Sequence, residues 1–252
     1  MSFEVAADAY DRFMGRFSEP LAALFADVAG LRPGQRVLDV GCGPGALTAQ
    51  LVDRLGAENV SAVDPSAAFV AAAGERFPEV DVRSAGAENL PFADGQFDAT
   101  LAQLVVHFMA DPVAGLREMA RVTRRGGTVA ACVWDNAGGT GPLAAFWAAV
   151  RGLDPAAIDE SELPGGAEGQ LAELCEAAGL ERIESSTLPV SVPIASFDEW
   201  WQPFTLGVGP AGVYVAQLTD QERDNLRARC AELVPVGPFE LSATAWCVRA
   251  RA

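Results

Sequence analysis

The 252-residue sequence has a single histidine, His107, and only two tyrosines, Tyr10 and Tyr214. One histidine excludes any metal site built on a histidine pair. Cysteine is odd in number, at Cys42, Cys132, Cys175, Cys230 and Cys247. Their spacing fits neither a disulfide framework nor a zinc site, so reduced, buried thiols in a cytoplasmic protein are expected. Basic residues are few: 18 Lys plus Arg stand against 34 Asp plus Glu, for a formal net charge of -16. That balance argues against nucleic acid and against anionic membrane surfaces, and favours a small-molecule ligand. No stretch reaches the roughly 18 apolar residues of a membrane helix. The opening residues, MSFEVAADAYDRF, lack the basic start and apolar run of a signal peptide. Repeats, low-complexity segments and charged or Ser/Gly-rich linkers are missing too. One compact unit, monomeric or homodimeric, is expected.

Half of the residues are hydrophobic, and from Arg36 to Asp135 they fall into a rhythm. Short β-rich runs at 36–40, 60–63, 81–84, 97–101 and 128–134 alternate with helical stretches at 46–55, 66–77 and 112 to about 124. Gly56 ends the first helix, Pro78 follows the second, and Asp111 with Pro112 opens the third. Strands alternating with helices predict a doubly wound α/β sheet of parallel units. Further on, 170–178 reads as a helix, and 181–192 and 241–249 as two more strands. Residues 136–169 are glycine-rich and irregular. Residues 196–238 hold two helical stretches, 196–204 and 219–234, the second opened by a Thr219/Glu222 capping box. Both segments read as a lid over the strand ends. The expected organisation is one domain over 1–252. Its core is 30–135, 170–195 and 239–252, with lid segments at 136–169 and 196–238 and a helical segment at 1–29.

Three features converge on one end of the predicted sheet. The first strand runs into Gly41-Cys42-Gly43-Pro44-Gly45 and then a helix. Glycines permit a tight turn and close ligand approach, and the helix start offers N–H groups and a positive dipole end. Asp64 ends the second strand, 23 residues after Gly41, where a carboxylate can accept ribose hydroxyls. Asp39 stands two residues before Gly41 and suits a ligand carrying an ammonium group. Taken alone, the turn with Gly41, Gly43 and Ala46 also satisfies a nicotinamide dinucleotide site. A nicotinamide-dependent oxidoreductase is therefore an alternative, although neither tyrosine is placed as its proton donor. A non-catalytic binding module is a further one.

VLDVGCGPG (37–45), AVDPS (62–66), AGAENLPF (85–92) and FDATLAQLVVHF (97–108) resemble the successive motifs of the class I S-adenosylmethionine-dependent methyltransferases. The branch most similar is the ubiquinone/menaquinone-biosynthesis-like, small-molecule one. REMARVTRRGG (117–127) and the following strand resemble its post-core helix and fifth strand. The resemblance implies a Rossmann-like seven-stranded sheet, mostly parallel with an antiparallel last strand, carrying helical lid insertions. It implies S-adenosyl-L-methionine as cofactor and methyl transfer to a small acceptor, aromatic or apolar. Asp39, Gly41, Cys42 and Gly43 would hold the methionine end and Asp64 the ribose. Pro65 and Ser66 would flank the adenine, the Ala87 N–H would meet its ring beside Glu88, and Gln103 and Leu104 would face the amine and sulfonium. Gly86 stands where the family often has Asp, which removes one adenine contact. AYDRFMGRFSEPL (9–21) resembles a segment preceding the core in this branch. Its Tyr10, Met14 and Arg16 read either as a cover for the methionine carboxylate or as an ordinary amphipathic helix.

Methyl transfer is an in-line displacement that requires alignment and exclusion of water, with a base only when the acceptor loses a proton. His107 follows the fourth strand and reads either as that base or as packing. Trp134, Trp147, Trp200, Trp201 and Phe204 fall at or in the lid, where they read as an aromatic acceptor pocket or as lid core. Tyr214 is a further candidate for orienting a hydroxyl.

Overall fold

A computed structural model describes residues 10–252. The first nine positions of the segment expected at 1–29 lie outside it. A π-turn, Asp11–Gly15, leads into α1 (Arg16–Ala29). Then follow β1 (Val37–Val40), α2 (Ala46–Leu55), β2 (Val60–Asp64), α3 (Ala67–Arg76), β3 (Asp81–Ser84), β4 (Phe97–Gln103), α4 (Pro112–Val122) and β5 (Thr123–Trp134). The remainder holds α5 (Ala144–Leu153), α6 (Gln170–Ala177), β6 (Glu181–Ile194), α7 (Phe197–Trp201), α8 (Gly209–Gln217), α9 (Asp220–Leu233) and β7 (Phe239–Arg251).

The seven strands form one sheet in the order β3-β2-β1-β4-β5-β7-β6. β1 to β5 pair in parallel, and β7 runs antiparallel to both β5 and β6. The last strand alone is thus reversed, and β6 points the same way as β5. Strand order reverses beside β1, where β4 leaves on the opposite side from β2. A crevice at the carboxyl ends follows from that reversal.

Both faces of the sheet are covered, so β1 is buried at all four residues. Val37 joins one core with Phe17, Leu21 and Phe25 of α1 and Leu51 of α2. Leu38 and Val40 join the other with Leu116 and Met119 of α4 and Leu171 of α6. At about 25 cal/mol per Å² of apolar surface, each such side chain contributes on the order of 2 kcal/mol.

Three boundaries differ from the sequence expectation. α4 stops at Val122, and the chain joins β5 at Thr123, ahead of Gly126-Gly127. Asp98 draws Arg124 to the start of β4 at 2.6 Å, and the Thr123 hydroxyl donates to the Met119 carbonyl at 2.7 Å. The segment 136–169 is not wholly irregular, because it contains α5, whose Phe146, Trp147, Ala149 and Val150 are buried. α8 is a helix despite two glycines, a proline and β-branched residues, because Ala211, Gly212 and Val215 pack inward. Trp200, Trp201 and Phe204 gather over the N-terminal segment, with Phe204 stacked on Phe146 at 4.4 Å and edge-on to Phe13 at 5.5 Å.

Candidate functional site

The glycine turn is built by φ values that other residues resist: +71° at Gly41 and +97° at Gly45. A Cβ on Gly41 would lie 2.4 Å from Val105, and one on Gly45 would lie 2.5 Å from Phe77. The turn is therefore packed from outside as well as wound from within. The N–H groups of Gly41 and Cys42 donate to the Val63 carbonyl at 2.8 and 2.9 Å. The Gly43 N–H donates to one Asp64 oxygen at 2.9 Å, and the Ser66 N–H donates to the other at 2.8 Å. Asp64 thus ties the ends of β1 and β2 together and keeps further lone pairs for a ligand. Burial pushes its carboxyl above the ordinary range.

A cavity of about 840 Å³ opens beside this turn. Tyr10, Gly41, Gly43, Asp64, Pro65, Ser66, Gly86, Ala87, Glu88, Gln103 and Leu104 all lie on its wall. The sequence resemblance implied a cofactor role for each of these, for Tyr10 as one of two readings. Phe69, Val105, Phe108 and Met109 line it too and were not foreseen. They are apolar residues that sequence patterning assigns to packing. Glu88 pins the far rim by accepting the Ala110 N–H at 2.8 Å.

A second, small cavity of about 30 Å³ lies under the turn, lined by Asp39, Cys42, Gln103 and Ser18, among others. Asp39 is 1% exposed. Its Oδ2 accepts from the Thr48 hydroxyl at 2.6 Å, while Oδ1 has no partner. Gln103 donates from Nε2 to the Ser18 carbonyl at 3.0 Å, while its Oε1 and the Ser18 hydroxyl are unpaired. Buried polar atoms are almost always hydrogen-bonded. Two orphan acceptors and a hydroxyl around one cavity fit an ammonium group, which has protons to give and no lone pair. Burial pushes the Asp39 carboxyl up to about 7, so the buried charge is costly by itself and a cationic partner would draw the group into its charged form. Burial also pushes the Cys42 thiol up, leaving it a packing group. Ser18 was missed because it looks like any small residue of an amphipathic helix.

The third cavity, about 40 Å³, lies between the sheet end and the lid. Met14, His107 and Trp134 line it, with Tyr10 and Leu104 shared with the 840 Å³ cleft. Leu104 has φ +62°, a left-handed backbone that a non-glycine residue seldom adopts. His107 is buried against Phe108 at 4.0 Å between ring centres, its Nδ1 has no partner, and burial pushes its pKa down to about 3. Its imidazole is thus neutral, and a poor proton acceptor near pH 7.

The structure keeps six candidates off these walls. Trp200, Trp201 and Phe204 pack in the apolar core of the lid. Arg16 donates to Glu199 of α7 at 3.2 Å. Trp147 donates to Glu160 at 2.9 Å, with Tyr214 edge-on to it. Among the described residues no cluster could hold a metal ion, and no helix is long and apolar enough to cross a membrane.

Residues 38–131 match the model of a methyltransferase domain family. The chain is 45% identical over 101 residues to a demethylmenaquinone methyltransferase of Beutenbergia cavernae, covering 40% of this chain and 41% of that one. It is 42% identical over 122 residues to one from Mycobacterium sp. strain KMS, covering 48% of each. The chain thus spans less than half the length of the curated relatives it matches. Among solved structures, the YcgJ protein of Bacillus subtilis superposes with a TM-score of 0.59 at 20% identity, over 92% of this chain and 97% of that one. Geranyl diphosphate C-methyltransferase of Streptomyces coelicolor superposes with a TM-score of 0.52 at 15% identity, over 94% and 80%. At such identities the likeness is one of fold. Residues 38–131 thus match a methyltransferase domain in sequence, and the chain as a whole shares the fold of these solved structures.

Proposed function

We propose that the protein transfers a methyl group from S-adenosylmethionine to a small aromatic or apolar acceptor. The observation that carries this reading is the set of unpaired, buried atoms at Asp39, Gln103 and Ser18, next to an open cleft rimmed by Asp64. When bound, S-adenosylmethionine supplies an electrophilic methyl carbon. The chain supplies position: Asp39 and Gln103 hold the amine, and Asp64 takes the ribose hydroxyls. Pro65, Ser66, Ala87 and Glu88 frame the adenine. Tyr10, Met14 and the lid segments 136–169 and 196–238 close the site against water, and the chain works as one domain. In this reading His107 shapes the acceptor side and does not serve as the base.

Calorimetric titration with S-adenosylmethionine, S-adenosylhomocysteine and NAD(H) tests the cofactor. Binding of the first two and not of the third is expected, and heat from NAD(H) alone would overturn the reading. Asp64→Ala should weaken S-adenosylhomocysteine by about 30- to 150-fold, equivalent to about 2–3 kcal/mol. Unchanged affinity would move the ribose elsewhere.

A further inference from the structure

The 40 Å³ cavity under the lid carries a polar group that nothing in the sequence motifs accounts for. Glu160 lies on its wall, only 7% exposed. One carboxylate oxygen accepts from the Trp147 indole at 2.9 Å, and no described residue donates to the other. Around it stand Phe13, Leu104, Phe108 and two residues with an unpaired buried atom, Trp134 (Nε1) and His107 (Nδ1).

Resting on the methyl-transfer reading, we propose that Glu160 anchors a hydroxyl group on a ring-bearing acceptor, with Trp134 and His107 completing the pocket. A buried carboxylate is costly unless its oxygens are hydrogen-bonded, so one held by a single indole N–H on a cavity wall has lone pairs for a ligand that donates to it. The same ligand must also satisfy an indole N–H, which can only donate. A hydroxyl does both at once, giving its proton to Glu160 and accepting from Trp134. An ammonium would leave the indole unpaired, and a carboxylate would be repelled by Glu160. The apolar walls suit the hydroxyl-bearing edge of a ring, whose body would have to reach in from the adjoining cleft because the cavity is only about 40 Å³. Position favours the same assignment, since Tyr10, Leu104 and Phe108 line both this cavity and the cofactor cleft.

The anchor is itself held in place. α5 contributes Trp147 to Glu160 and Arg151 to the neighbouring Asp159. Asp159 also accepts the Ser161 N–H at 2.9 Å, which fixes the turn carrying Glu160.

Titration of the protein with phenol, with the isosteric toluene and with benzylammonium, each with and without saturating S-adenosylhomocysteine, tests the proposal. Phenol should bind at least about tenfold more tightly than toluene, and benzylammonium more weakly than phenol. Glu160→Gln should bring phenol to within about threefold of toluene and leave S-adenosylhomocysteine affinity unchanged, because Glu160 does not line the cofactor cleft. Trp134→Phe should reduce the preference several-fold and stands as the decisive variant should Glu160→Gln not fold. Failure of phenol to bind, equal binding of toluene, tighter binding of benzylammonium, or a full phenol preference in the folded variants overturns the proposal. Absence of S-adenosylhomocysteine binding with the phenol preference intact overturns the cofactor reading instead.

Discussion

Asp39 shows how burial of a single residue couples charge to stability. In the folded state burial raises its pKa to about 7, well above the ordinary carboxylate value it has when the chain unfolds. Between those two values the folded state binds a proton that the unfolded state has lost. Its contribution to stability is therefore present at low pH and falls as pH rises towards 7. The loss is steepest at about 1.4 kcal/mol per pH unit. Asp39→Asn should gain stability relative to the parent chain as pH is raised from about 5 to about 7, as read by denaturant unfolding at each pH. By the same linkage, S-adenosylhomocysteine should bind the parent chain more tightly above pH 7 than below it, and the variant should lose that dependence. Gly41 is constrained from outside by Val105. Gly41→Ala should lower the melting temperature and weaken S-adenosylhomocysteine. Adding Val105→Ala should recover part of both, leaving the left-handed backbone cost of about 1–2 kcal/mol.

At the scale of elements, α4 illustrates how local chemistry serves the site. The Asp111 side chain caps it by accepting the Ala114 N–H at 3.0 Å, with Pro112 pre-set in the first turn. Its own N–H leans on Glu88 at 3.4 Å, at the Gly86–Glu88 rim of the cleft. Asp111→Ala should destabilise the fold by about 1 kcal/mol and lower the melting temperature by about 2–4 °C, as read by calorimetry. These features were legible in sequence because cap, proline and apolar period are consecutive. α5 and α8 were not, because glycines and prolines flank or enter them and only burial against the lid makes them helices.

At the scale of the whole molecule, the N-terminal segment and the second lid segment are joined by the Arg16–Glu199 pair and the Phe13–Phe204 contact. The ion pair is partly exposed, so it contributes at most about 1 kcal/mol. Arg16→Ala should raise hydrogen exchange across 197–206 and leave S-adenosylhomocysteine affinity within about threefold. A tenfold loss of affinity with unchanged exchange would place Arg16 on the ligand.

By itself the sequence determined the strand-helix rhythm, the glycine turn and the carboxylates at 39 and 64. Each of these depends on residues close together in the chain, where backbone preference and hydrophobic period dominate. Only the tertiary structure decided which distant groups share a cavity. Ser18 meets Gln103 across 85 positions, and Arg16 meets Glu199 across 183. Glu160 shares a cavity with His107 and Trp134 only because the segment 136–169 folds back over the ends of β4 and β5. Such meetings are set by packing and burial, whose partners leave no period or spacing along the chain.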